Sequence, residues 1–509
     1  MRTLKPTPVL LVLVCLVFVF HSCEKSEQPL ESISLKTAPE VNFKHKTSIK
    51  VGEGTAAEIS AYDPDTKKLF VVNAESNAVY AYDISDLSNP VGPAVISLGG
   101  QGAPNSIAVY RGLLAVAVEA DVKQEPGRIQ VYDTGSLALM NTYTVGALPD
   151  MVTFSPNGKF IVSANEGEPS GDYLNDPKGS VSIIKTATGE VSTLEFDAFN
   201  GQQAALELQG YRVFGPGADL ARDTEPEYVA ISDNSQIAWV TLQENNGIAR
   251  INLNAPRVEA IYPLGFKDHS DPYNALDPSN KDSKKELNTW PVKGIFHPDG
   301  IAYAKIGGSD FLVTANEGDA RDYDAFSEEA RVKDIVLDPT AFPNAAELQQ
   351  EDMLGRLKIT TTLGDTDSDG DFDELYSYGA RSFTIWTGSG GLVFDSGNEI
   401  GIITLTETPG RFNDNDGRSD DKGGEPESVA ILERKNNQFI LFVGLERNDQ
   451  TLVYDISNPN APEFLQILST PGDEAPEGLL VVSAKDSPSG KELLVVSNED
   501  SGTVTIYEN

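Results

Sequence analysis

The sequence predicts an all-β fold: a seven-bladed β-propeller closed by its N-terminal strand, with long loops on one face. Three observations predict it. A unit of short apolar strands and tight turns recurs seven times between residues 42 and 509. The second strand of every copy ends in Glu. The long connections all fall at equivalent places in the unit. Short strands at regular spacing, three or four to a unit, are propeller blades, and a ring of them can reach 509 residues without dividing into domains.

The second strands close at Glu75, Glu119, Glu166, Glu244, Glu317, Glu446 and Glu499, as in Val162-Ser163-Ala164-Asn165-Glu166 and Val313-Thr314-Ala315-Asn316-Glu317. Upstream of each, a Pro–acid pair opens the first strand: Pro149-Asp150, Pro226-Glu227, Pro298-Asp299, Pro426-Glu427 and Pro476-Glu477. Blade two has Pro104-Asn105 and blade one Ala57-Glu58. Third strands often end in Tyr-Asp, as at Tyr82-Asp83 and Tyr454-Asp455. Hairpin signals such as Ser155-Pro156-Asn157-Gly158 separate the first two strands. The last unit has three strands, and residues 42–51 are expected to supply its fourth.

Antiparallel pairing places the start of the first strand and the end of the second on one face. The first strand also lines the central channel. Glu58, Asp150, Glu166, Glu227, Glu244, Asp299, Glu317, Glu427, Glu446, Glu477 and Glu499 are therefore expected around one mouth. With Glu75, Glu119 and Asn105 the set reaches 13 carboxylates and one Asn. Like charges at this density raise their own pKa values or gather cations. For any single Glu, capping a neighbouring turn is the alternative. The long connections at 166–179, 197–225, 265–297, 317–380 and 397–425 belong to the same face, and loops of that length are commonly functional.

The 317–380 insertion within blade five carries the sharpest local motif, Asp365-Thr366-Asp367-Ser368-Asp369-Gly370-Asp371-Phe372-Asp373-Glu374. Acids at positions 1, 3 and 5 with Gly at 6 match the first half of a calcium loop. Tyr376 stands where a bidentate Glu is expected, so Asp371, Asp373 and Glu374 are the candidates to complete the set. A solvated acidic turn is the alternative. The less regular segment 413–422 is a weaker cation candidate. Arg321, Arg381, Arg418 and Lys422 lie among these loops. They either pair with carboxylates or hold an anion such as phosphate. His297, beside Pro298-Asp299, is the one His near a mouth motif. If the protein is catalytic, Arg321, Arg381 and His297 are the candidates.

Residues 1–22 read as an export signal: Arg2 and Lys5, then an uncharged run over 9–20. That run is too short to cross a bilayer of ~30 Å as a helix. It ends at Ser22-Cys23, which resembles a lipoprotein cleavage site and predicts lipid on Cys23, with plain secretion as the alternative. Residues 23–41 then form a tether. Cys15 and Cys23 are the only cysteines, so the exported domain has no disulfide and no thiolate metal site. Loss of Arg2 and Lys5 takes the formal charge from −38 to −40. That charge argues against nucleic acid as a partner.

Leu148-Pro149-Asp150-Met151, Ala164-Asn165-Glu166-Gly167-Glu168-Pro169, Glu225-Pro226-Glu227-Tyr228, Thr314-Ala315-Asn316-Glu317-Gly318-Asp319-Ala320-Arg321-Asp322-Tyr323, Gly379-Ala380-Arg381-Ser382-Phe383, Ser419-Asp420-Asp421-Lys422-Gly423 and Ala475-Pro476-Glu477-Gly478 occur in order. Together they resemble the choice-of-anchor I family of exported bacterial propellers. They are also similar to mesenchyme-specific cell-surface glycoproteins. The resemblance implies a membrane-anchored envelope protein, here anchored through lipid on Cys23, and little settled biochemistry. Some members are labelled alkaline phosphatase-like, and calcium-dependent phytases also use propellers with acidic mouths. Two functions follow as expectations: a monomeric calcium-binding surface module for recognition or adhesion, or a calcium-dependent phosphoesterase. The partner would be a surface polymer or a phosphorylated small molecule.

Overall fold

Second strands such as Phe160–Asn165 are apolar throughout and are buried on both sides. This is the pattern of a strand sandwiched between neighbouring sheets. The computed structural model describes residues 41–100 and 102–509. In it, seven four-stranded antiparallel sheets follow the seven sequence repeats. Their innermost strands are Ser60–Asp63, Pro104–Tyr110, Pro149–Phe154, Val229–Ile231, Pro298–Ile306, Pro426–Arg434 and Pro476–Val482. Each packs on the next, and the last returns to the first, which gives a β-propeller ring.

The seventh sheet takes its fourth strand from the N-terminal segment. Lys44–Lys50 runs antiparallel to Thr503–Glu508, with Lys44 opposite Glu508 and Lys50 opposite Thr503. Phe43, 1% exposed, locks this strand in place. Its ring meets Phe442 edge-on at 5.1 Å, and its backbone exchanges hydrogen bonds with the Gln466 side chain.

The core lies between blades. Val162 and Ile183 of blade three pack with Val240 and Ile251 of blade four, for example. Burying each such side chain contributes about 1.5–3 kcal/mol. Trp239 stacks on Tyr303 across the next interface at 5.4 Å, and its indole N–H donates to the Gly388 carbonyl.

The short turns between first and second strands, and between third and fourth, occupy one face. The long connections occupy the other, and two of them are more than loops. Segments of 265–297 and 317–380 fold together into a five-stranded mixed sheet: Phe266–Asp268, Lys293–Ile295, Tyr376–Ser377, Lys358–Thr360 and Glu329–Arg331. This layer has its own core, including Val292, Val332, Leu337, Phe342, Leu354 and Leu357. The blade-five insertion 317–380 thus builds this layer together with a second long connection, 265–297.

Candidate functional site: an acidic axial mouth

The Pro–acid pair acts through a β-bulge. In blade three Pro149 opposes Asn165 and Met151 opposes Ala164, so Asp150 is an extra residue with no ladder partner. The register shifts at the equivalent place in blades two, five, six and seven. A bulge adds one residue and re-aims the strand. The residue before the proline holds positive φ in four blades: Leu148 (47°), His297 (48°), Glu425 (47°) and Ala475 (55°). Repeated strain of this kind concentrates at functional sites.

The five bulged residues and Glu58, their counterpart in blade one, converge. Glu58, Asn105, Asp150, Asp299, Glu427 and Glu477 all line one axial cavity of about 270 Å³. Glu119, Glu166 and Glu168 join them, with Tyr228 in the wall and Lys123 as the sole basic lining residue. Lys123 is largely exposed and stands 3.9 Å from Glu168.

The Glu residues that close the second strands divide into groups. Strand alternation turns the preceding Asn inward: Asn165 binds Ser180 and Ser182, and Asn316 binds Ser382 and Thr384. Glu119 and Glu166 line the cavity. Glu244 and Glu446 are buried at 5% and 7% exposure. Glu499 is half-buried and acts electrostatically on Glu58. Glu75 does not join the mouth: it is exposed and accepts from the Glu53 backbone N–H at 3.2 Å.

Burial and mutual repulsion push these carboxyls upward. Glu58 rises to about 8, first through burial and then through Glu477, Glu499 and Asp150. Asp150 rises to about 7 through burial and Glu477. Glu166, Glu227, Asp299, Glu317 and Glu427 are held well above the carboxylate range, chiefly by burial. The carboxyls of Glu477 and Glu446 add to the rise of Glu427.

Basic residues near the mouth are occupied. Arg321, 3% exposed, pairs with Asp223 and Glu225. Arg212 pairs with Glu328 inside the protein, and the Phe214 ring lies 4.0 Å from its guanidinium and 4.5 Å from that of Arg321. Arg381 donates to the carbonyls of Asp277, Ser419 and Asp421. Lys422 binds Asp319 at 2.6 Å, and Arg418 binds Glu425 at 2.7 Å. His297 is fully buried, lies 2.9 Å from an Arg212 nitrogen and is held well below its usual pKa by burial and that guanidinium. Arg321, Arg381 and His297 are thus structural in this fold. Their partners are distant in the chain, so the sequence left pairing and anion binding open for the arginines. The buried Arg212 gave no sequence signal at all.

In the insertion layer, Asp365, Asp367 and Asp373 bring oxygens within 4.8 Å of one another. Asp338, Asp371 and Asp373 form a second such group sharing Asp373. Gly370, at φ 99°, allows the wrap, and Asp365 accepts the backbone N–H groups of Ser368, Asp369 and Gly370. Two expectations change. Glu374 binds Lys293 at 2.7 Å and the Tyr376 hydroxyl, and it belongs to neither group. Asp369 belongs to neither group. Asp338 joins because residues 337 and 372 form a parallel bridge, which no local spacing reveals. In the 413–422 segment, Asp420 serves Arg331 and Arg356, and Asp421 serves Lys358 and Arg418. Those pairs make the C-terminal end of the segment a salt-bridge hub.

The model of the choice-of-anchor I domain matches residues 58–459. The chain belongs to the choice-of-anchor I family. Choice-of-anchor domains are typically parts of exported surface proteins. Gigasin-3a of Magallana gigas is 32% identical over 123 residues, covering 22% of this chain and 43% of that protein. The chain therefore spans less than half of the curated relative it matches. Among solved structures it is similar to hydrazine synthase of Kuenenia stuttgartiensis at 13% identity, covering 92% of this chain and 99% of that one, with TM-score 0.49. It is also similar to the Cps50 (Swd1) β-propeller domain of Myceliophteria thermophila at 9% identity, covering 92% and 100%, with TM-score 0.47. The export signal expected at 1–22, the lipid expected on Cys23 and all of the expected 23–41 tether except Val41 lie outside the described residues. Among the described residues no helix is long and apolar enough to cross a membrane.

Proposed function

We propose that this choice-of-anchor I protein is a cell-surface calcium-binding propeller that acts in recognition or adhesion, tethered by lipid on Cys23. The observation that carries the reading is the axial cavity, where eight carboxylates meet one lysine. Carboxylates gathered without basic partners favour either protons or hard cations, and oxygen-only donor sets suit calcium. The Asp365, Asp367 and Asp373 oxygens offer a second place for calcium, in the layer above the same face. Calcium there would order the insertion layer, and calcium in the mouth would offset part of the negative charge a partner meets.

The phosphoesterase alternative draws less support. Metal-assisted phosphoryl transfer needs cations and a group to hold the phosphate. Arg321 and Arg381 are tied up in the fold, which leaves Lys123.

Titration calorimetry of chelated protein with calcium chloride tests the reading. Binding heat and a raised melting temperature are expected. At calcium 100-fold above Kd, one site adds ~2.7 kcal/mol of stability. No heat and no thermal shift would sink the calcium reading. Turnover of a phosphomonoester or phytate with calcium would favour the enzyme.

A further inference from the structure

A second cavity, of about 30 Å³ and open to solvent, shares no lining residue with the axial mouth. It lies between the 265–297 and 397–425 connections and the end of the blade-five insertion. Leu276, Leu287, Ile400 and Phe412 make its walls largely apolar. Its charge sets it apart in a chain with a formal charge of −38. Arg381 lines it, and among the described residues that line it there is no Asp or Glu.

Among the described residues no carboxylate pairs with Arg381. Its two terminal nitrogens donate to the carbonyls of Asp277, Ser419 and Asp421, which leaves Nε. That Nε is buried and has no partner, and a buried donor left unpaired is costly. Burial holds the guanidinium down at about 10, and Asp277, Asp421 and Glu425 offset this only in part. The Arg381 backbone also holds positive φ, at 54°, and strain of that kind concentrates at functional sites.

His269, 2% exposed, supplies the complementary gap in the same wall. Its Nδ1 lies 2.6 Å from the Asn274 carbonyl oxygen, so the ring N–H donates there and Nε2 carries a lone pair. Burial, then Lys267 and Arg381, hold the ring down at about 3, so it is neutral. Its Nε2 is buried and has no partner. The other polar side chains of the wall bond within the protein. Asn274, Asn398 and Thr404 donate to the carbonyls of Asp268, Pro272 and Ile400, and Asn413 donates to Ser419 Oγ. Gly397, Asn398, Ile400 and Gly401 add the amino end of the helix Glu399–Glu407, whose N-cap side chain makes no capping bond. A helix amino end favours negative charge.

We propose that this cavity binds the head group of a short-chain monocarboxylic acid. Arg381 Nε–H donates to one oxygen, and a proton taken from solvent is shared between the other oxygen and His269 Nε2. The alkyl tail lies along Leu276, Leu287, Ile400 and Phe412. A carboxyl answers both unpaired atoms, whereas a halide answers only the arginine. A single water needs about 10–15 Å³, so the cavity holds a head group and the tail leads towards its open side. The site does not depend on calcium in the mouth.

Titration of the full chain with sodium propionate, followed by calorimetry in chloride-free buffer with chelator, tests the proposal. One propionate per chain is expected to bind. His269→Asn keeps a donor for the Asn274 carbonyl and removes Nε2, and Arg381→Lys keeps the charge and removes Nε. Each is expected to weaken propionate by about tenfold or more, the scale of one hydrogen bond to a charged group. Ala275→Leu, which fills the cavity from its wall, is expected to abolish binding. Should Arg381→Lys not fold by circular dichroism, the other two variants carry the same test. No propionate binding in the wild type, or unchanged affinity in His269→Asn and Ala275→Leu, overturns the proposal. Binding of chloride but not propionate overturns the carboxylic acid. Chelator throughout keeps each result separate from the calcium reading.

Discussion

Lys293 Nζ donates to Glu374 at 2.7 Å and so ties the acidic loop to the sheet beneath it. The pair separates two residue classes within one motif: carboxylates that anchor the loop and carboxylates that face an ion. Glu374→Gln is expected to leave calcium stoichiometry unchanged and to cost ~1 kcal/mol or less, as partly exposed pairs do. Asp373→Asn, which touches both carboxylate groups, is expected to abolish loop binding. Parallel calorimetry of the two variants checks this, and loss of calcium in Glu374→Gln would contradict it.

The carboxyl shifts define a pH dependence. Glu58 and Glu446 rise to about 8, and Asp150, Glu244 and Glu499 to about 7. A pKa raised by folding means that the folded state binds protons more tightly than the unfolded chain. The stabilisation is therefore complete below the ordinary carboxylate range near pH 4.5 and is lost as pH climbs towards 8. Melting temperature in chelator is expected to fall between pH 5 and pH 8.5, and calcium is expected to restore most of the loss at the upper end. A flat or rising profile in chelator would contradict the assignment.

Arg212 and Glu328 form an ion pair with side chains 1% and 0% exposed, joining the 197–225 connection to the insertion layer. Glu328→Gln strands a buried guanidinium and is expected to cost about 3–5 kcal/mol. Replacing both residues with apolar side chains of similar volume is expected to recover most of that loss. Urea melts of the single and double variants measure the difference.

Ring closure depends on Phe43. Phe43→Ala opens a cavity against Phe442 and is expected to cost about 3–5 kcal/mol. Hydrogen exchange should then show faster opening of Lys44–Lys50 and Thr503–Glu508 than of the other blades.

The repeat was readable because its physics is local. Four of the five Pro–acid pairs mark a bulge, three second strands end in Asn-Glu with the Asn turned inward, and Glu closes all seven second strands. The insertion layer was not readable. Its strands are two or three residues long, and Lys293 pairs beside Tyr376 across more than eighty positions. Partners that far apart decide such strands, and local preference does not. The same holds for Arg321 and Arg381. Arginine in an acidic loop looks exposed and available, because charged side chains are seldom buried unless paired. Only the three-dimensional arrangement supplies Asp223 and Glu225 to one and three carbonyls to the other.

The strand that closes the ring is also the first strand of the described residues. A pull applied at its N-terminal end enters the domain where Lys44 opposes Glu508 and a bulge interrupts the register between His45 and Thr47. Pulled from that end, the ladder yields by unzipping, one pair after another, rather than by shearing all pairs at once. Phe43 and Gln466 stand just ahead of the first pair, so they act as the mechanical latch of the ring, and the force the domain withstands is set by a few contacts rather than by the whole strand.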